Sequence, residues 1–141
     1  MKVKVFYDNV KFRLRKSVEK KKFIEKVISK ERKITGDLVF IFTNDERIRE
    51  INKEFLKKDY FTDVISFSLN RGKIINGEVY ISIDSVRDNS KEYRVRLEEE
   101  LIRVMIHGTL HLLGYTDEDE KKKECMYKLQ ERRVKEFEKK K

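Results

Sequence analysis

Residues 107–117 read His107-Gly108-Thr109-Leu110-His111-Leu112-Leu113-Gly114-Tyr115-Thr116-Asp117, a stretch that holds both histidines of the 141-residue chain. His107 and His111 stand at i and i+4, which on a helix brings two imidazoles to one face, within reach of a single ion. Working back from them, Leu101, Val104, Met105, Gly108 and Leu112 keep core spacing, which predicts a helix over about residues 97–113. Gly114 supplies the stop signal, after which the chain can fold back and present Asp117. Two imidazoles and a carboxylate, with a fourth position left for water, are the donor set of a catalytic zinc site rather than a structural one. Gly108 is expected to keep the histidine face uncrowded. In H-E-x-x-H peptidases a Glu beside the first His is the general base; Gly108 holds that place here, which disfavours such a peptidase. Arg103, one turn before His107, shares the face. It is a candidate phosphate contact, with an ion pair to Glu99 or Glu100 as the alternative reading.

Outward from this helix the chain alternates strands and helices. Val3, Val5 and Tyr7 alternate as in a strand, and Val18, Phe23, Ile24, Val27 and Ile28 keep helical spacing until Gly36 breaks the pattern. Leu38–Phe42 reads as a second strand. Thr43 and Glu46 then form a capping-box signature ahead of a helix with Ile48, Ile51 and Phe55 on its inner face. Val64–Leu69 and Val79–Ile83 read as a hairpin whose turn contains Gly72, Asn76 and Gly77. Helices are expected near 84–93 and from about Asp117 to Lys139, the latter with a buried stripe of Met126, Leu129, Val134 and Phe137. The order βαβαββααα implies an α+β (mixed α/β) fold in one domain spanning 1–141. Four strands form a small mixed sheet, covered by helices that include a zincin-like metal helix.

Composition narrows the partners. The chain is 43% charged and 38% hydrophobic, yet nine Phe and six Tyr recur with regular aliphatic neighbours, which argues for a folded domain under a heavily solvated surface. All of the +9 net charge falls in residues 1–36, where 13 basic residues face four acids. There Lys11, Arg13, Arg15, Lys16, Lys20, Lys21, Lys22 and Lys26 can form either a patch for phosphate backbones or a solvated helix face. The one cysteine, Cys125, cannot form an internal disulfide. No run approaches the ~18 apolar residues of a membrane span and no signal-like leader opens the sequence, so a cytoplasmic protein without membrane contact is expected.

The segment His107 to Tyr115 resembles the H-G-x-L-H-L-x-G-Y-D-H signature of the YbeY family of endoribonucleases, which act in ribosomal RNA maturation. Residues 52–67, reading NKEFLKKDYFTDVISF, are similar to that family's N-x-x-Y-R-x-x-D-x-P-T-D-V-L-S-F, and Gly77-Glu78 before Val79 is similar to its G-D/E-I. The resemblance implies a zinc-dependent, single-strand-directed endoribonuclease. It would act on ribosomal RNA or the ribosome, in maturation of the small-subunit rRNA 3′ end and in ribosome quality control. It implies one Zn²⁺, held at the three signature histidine positions, which here are His107, His111 and Asp117. An Asp ligand also admits Mn²⁺ or another divalent ion.

Several positions depart from the pattern. Thr116 replaces the signature Asp, Asp117 the third His, and Leu56 the family's Arg; Phe61 and Ser68 replace prolines. Lys57, Lys58 or Arg103 would have to compensate for Leu56. Asp63 and Ser66 are candidates to line the cleft, with Thr62 and Asp63 otherwise serving as turn residues. The rival readings are a non-catalytic RNA-binding assembly factor with a structural metal, and a metal hydrolase of a non-nucleic substrate such as peptide.

Overall fold

Leu38, Phe40 and Phe42 alternate with half-exposed Val39 and Ile41, and this period of two builds the central strand of a sheet whose faces are unequally covered. The computed structural model describes residues 2–55 and 62–139; Leu56, Lys57, Lys58 and Phe61 lie outside the described residues. The elements follow the expected order: β1 (Val3–Tyr7), α1 (Ser17–Lys30), β2 (Ile34–Thr43), α2 (Asp45–Phe55), β3 (Val64–Ser68), β4 (Ile74–Ser82), α3 (Ile83–Glu92), α4 (Leu97–Leu112) and α5 (Glu120–Lys139). The four strands lie in the order β1-β2-β4-β3, with β1 and β4 parallel to β2 and β3 antiparallel to β4. Each parallel pair requires a crossover. The first is α1, and the second runs through α2 and β3.

One face of the sheet carries Val3, Leu38, Phe40, Phe42, Val79 and Ile81, packed with α1, α3, α4 and α5 into the main core. The other face carries a smaller cluster of Ile48 and Ile51 from α2 against Ile65, with Phe67 and Tyr80 beside them. Helix α4 is buried on nearly every side, since Leu101, Ile102, Val104, Met105, Ile106, Leu110 and Leu112 are all sequestered. A helix apolar all round sits in the interior. Beyond its first turn, where Leu97, Glu98 and Glu99 are half-exposed, its half-open strip is Arg103, His107 and His111.

Several expectations change in detail. Helix α1 ends at Lys30, and Gly36 lies inside β2, at an irregularity between Thr35 and Leu38. Val18 is exposed and Lys20 is buried in its stead, because the inward stripe runs Lys20, Phe23, Ile24, Val27, Ile28. The cap of α2 is Asn44, whose Oδ1 accepts the Arg47 amide at 2.9 Å, while the Thr43 hydroxyl donates to Asp8 Oδ2. Phe55 is exposed at the end of α2, touching Phe67 edge-on. Strand β4 starts at Ile74, so Asn76 and Gly77 are strand residues; the Arg71–Ile74 bridge closes the turn before them. Helix α5 starts at Glu120, three residues after Asp117.

Candidate functional site

Gly108 lets α4 approach the sheet. A Cβ there would stand 2.5 Å from Val79 Cγ1 and 3.3 Å from Ser66 Oγ, so this glycine faces β3 and β4, one residue around the helix from the imidazoles. It sets the depth of the helix and does not clear the histidine face. Ser66 Oγ donates to the Gly108 carbonyl at 3.0 Å, tying β3 to the same turn. At the C-terminus of α4, Gly114 adopts φ 102°, a backbone region open to glycine. Its amide bonds the His111 carbonyl at 3.0 Å and the Tyr115 amide bonds the Leu110 carbonyl at 3.0 Å, the two reversed bonds of a Schellman turn.

That turn carries the Tyr115 carbonyl back under His111, where it accepts from Nδ1 at 3.1 Å. Tyr115 is itself anchored, its hydroxyl donating to Glu31 Oε1 at 2.6 Å; burial, then Glu31, push the phenol up to about 12. His107 Nδ1 faces Gln130 Oε1 of α5 at 2.7 Å. The Gln130 Nε2 faces a carboxylate oxygen of Glu131 at 3.1 Å, which only accepts, so the amide end toward His107 is its oxygen. Both imidazoles therefore carry the proton on Nδ1. Their Nε2 lone pairs converge, 3.1 Å apart, with the rings edge-on at 83°. Burial, and then the neighbouring imidazole, push His111 below the ordinary imidazole pKa, which favours the lone pair over a second proton.

Two facing lone pairs repel unless a cation lies between them. Nitrogens each ~2.0–2.1 Å from one tetrahedral ion would stand roughly 3.3 Å apart, so the observed separation suits a shared metal. Asp117 is exposed and lines the same cleft, of about 420 Å³, together with Asn52, Thr62, Ser66, His107, His111 and Thr116. Its charge acts on His111, raising that pKa slightly against the burial. Among the described residues no three His, Cys, Asp or Glu side chains gather closely enough to enclose an ion. The buried Thr116 Oγ1 has no hydrogen-bond partner among the described residues.

Arg103 is placed on the histidine strip as expected, and all three nitrogens of its guanidinium are bonded to carboxylates. It bonds Glu131 through Nε (2.9 Å) and NH2 (3.1 Å), Glu100 through NH1 (2.9 Å) and Glu99 through NH2 (3.0 Å). The ion-pair reading of Arg103 is the one that the geometry favours. Asp63 accepts from Asn89 at 3.2 Å and lines a separate groove beside α4 with Glu100, Arg103 and His107, whereas Ser66 lines the histidine cleft. Two features escaped the sequence reading. Gln130 is the chain's single glutamine and lies between Met126 and Val134 on the buried stripe of α5, so an amide in an apolar row was the available signal. Lys121 and Lys123 line a further pocket with His107 and Asp117, beside Glu120 and Glu124.

These features define a small α+β protein that presents two tautomerically fixed imidazoles from one buried helix into an open cleft. The profile of the family described as endoribonuclease YbeY matches residues 6–138, and the chain belongs to that family. It is 38% identical to the endoribonuclease YbeY of Christiangramia forsetii over 129 residues, covering 92% of this chain and 90% of that one. Against the Flavobacterium psychrophilum endoribonuclease YbeY it is 39% identical over 132 residues, covering 94% of each. A Thermotoga maritima protein of known solution structure superposes with a TM-score of 0.67 at 29% identity, covering 96% of this chain and 88% of that one.

Proposed function

We propose that this protein is a metal-dependent endoribonuclease acting on single-stranded RNA, with ribosomal RNA or the ribosome as its target and His107, His111 and Asp117 holding one Zn²⁺. The carrying observation is the pair of Nε2 lone pairs 3.1 Å apart, each imidazole fixed by an acceptor on its Nδ1 side. Neutral imidazoles with an oriented outer nitrogen are the form in which histidine binds metal. An ion held there would supply Lewis-acid polarisation of a phosphoryl oxygen and acidification of water. The protein groups around it have separate tasks. Tyr115, anchored on Glu31, keeps His111 and Thr116 in place. Lys121 and Lys123 share a pocket with His107, but Asp117, Glu120 and Glu124 line it too, so a phosphate contact from these lysines would have to compete with those carboxylates.

A peptidase reading is weaker still on this geometry, since the residue after His107 is packed on Val79 and leaves no room for a general-base carboxylate there. Arg103's engagement with three carboxylates supports the second reading, an RNA-binding assembly factor that holds metal without cutting. Incubating single-stranded RNA with the protein, with and without chelator and alongside His107→Ala, separates the two. Chelator-sensitive cleavage that the variant lacks is the expected result. Tight RNA binding without cleavage at any metal supplied would establish the non-catalytic reading instead.

A further inference from the structure

A relay of side chains ties α4 to α5 behind the two histidines. His107 Nδ1 rests on Gln130 Oε1, Gln130 Nε2 on Glu131 Oε2, and Glu131 on the two-pronged grip of Arg103, which reaches back to α4 one turn before His107. A side-chain amide has a right end and a wrong end. With its oxygen toward His107 it accepts the Nδ1 proton and leaves Nε2 bare; turned over, its NH₂ would demand a lone pair on Nδ1 and drive the proton to Nε2, where an ion needs to bind. Gln130 is buried, which limits the water that could substitute for either bond.

We infer that Gln130 is a positioning residue for His107, and that the Glu131–Arg103 pair selects which end of its amide faces the imidazole. This deepens the metal-site reading, on which its functional meaning rests. The role differs from that of His111, whose Nδ1 acceptor is the Tyr115 backbone carbonyl and has no wrong end. Arg103 thus serves the site from behind the ligand, through a carboxylate and an amide.

The test uses the full-length protein and two readouts, the ¹⁵N tautomer pattern of the imidazoles in metal-free protein and the affinity for Zn²⁺ by chelator competition. The tautomers are read at about pH 8.5, two units above the ordinary imidazole pKa. Gln130→Met should abolish the preference of His107 for Nδ1–H and weaken zinc binding about 10–100-fold, with the His111 pattern unchanged. Glu131→Met leaves Arg103 paired with Glu99 and Glu100 and should shift His107 in the same direction. Adding Gln130→Glu to Glu131→Met should restore both readouts, because a carboxylate accepts at either end. Thermal unfolding of each variant confirms that the domain is intact. If Gln130→Met retains the Nδ1–H tautomer, Gln130 has no positioning role; if the double variant stays as weak as Glu131→Met, the selection of the amide end is wrong. A parent that binds no zinc would sink the metal-site reading, while the metal-free tautomer pattern would still decide this one.

Discussion

Asp117 and Gly108 stand within ten residues of each other and their substitution should have opposite kinds of consequence. Asp117 is exposed, shares the cleft with both histidines and carries little structural burden. Asp117→Ala should therefore leave the unfolding midpoint unchanged but lower zinc content. Asp117→His should retain the ion and shift the rise of activity to lower pH, because a neutral nitrogen leaves the ion the stronger acid. Metal analysis and pH–rate profiles check this, and full zinc occupancy in Asp117→Ala would remove Asp117 from the ligand set. Gly108 is buried against the sheet, where an added methyl would sit 2.5 Å from Val79 Cγ1. Gly108→Ala should cost about 1–3 kcal/mol by overpacking, read from urea unfolding, and should loosen zinc binding by tilting the helix that carries both ligands.

At the scale of elements, the critical contact is the clamp of α4 on α5. Burial alone would raise the Glu131 carboxyl, but the bonds from Arg103 and Gln130 outweigh it and hold Glu131 below its ordinary value of 4.5. Glu136, bonded by Lys30 and Arg133, is likewise held low against its burial. A carboxyl depressed in the folded state contributes stability that is fully present above its unfolded pKa and is lost as pH falls through the folded one. Burial dominates at Glu100, which is raised in spite of Arg103 and so gains stability on protonation, opposing the trend. The clamp should accordingly weaken as pH drops below 4.5. Glu131→Gln should cost about 1–2 kcal/mol at neutral pH and show a shallower further loss on acidification than the parent, measured by urea unfolding at both pH values. An acid response identical to the parent's would mean that Glu131 is not part of it.

Over the whole molecule the basic surplus divides into structural and solvated charge. Lys20 is buried, its Nζ bonding the Arg15 carbonyl at 2.6 Å and Glu98 at 2.5 Å, which pins α1 to the start of α4. Arg13 lies over the Tyr7 ring at 4.5 Å and bonds the Phe12 carbonyl. Of the next two lysines of α1, Lys21 is half-buried and Lys22 exposed. Lys20→Met should lower stability by roughly 1–3 kcal/mol and leave the salt dependence of RNA binding unchanged. Neutralising Lys21 and Lys22 together should do the reverse, flattening the salt slope by about 0.7 units per lost phosphate contact. A slope equal to the parent's in the Lys21/Lys22 variant would make that face a solvated surface only. No helix among the described residues is long and apolar enough to cross a membrane.

Local pattern settled much of this protein. The element order, the hairpin of β3 and β4, the buried stripe of α4 and its stop at Gly114 follow from periodicity and turn chemistry, which act over a few neighbouring residues. The i, i+4 histidine pair was legible for the same reason, since one helical turn alone brings the rings together. Tertiary structure decided what each side chain meets. Lys20 and Val18 exchange places because the inward stripe of α1 is chosen by the packing of α4 and the sheet, and Asn44 rather than Thr43 caps α2 because Asp8, distant in sequence, takes the Thr43 hydroxyl. Arg103 is drawn from substrate duty by Glu131, 28 residues away, and the proton on His107 is set by Gln130, 23 residues away. A hydrogen-bonded network of that kind is fixed only when two helices close on each other, because its energy depends on angles and distances that sequence spacing does not encode.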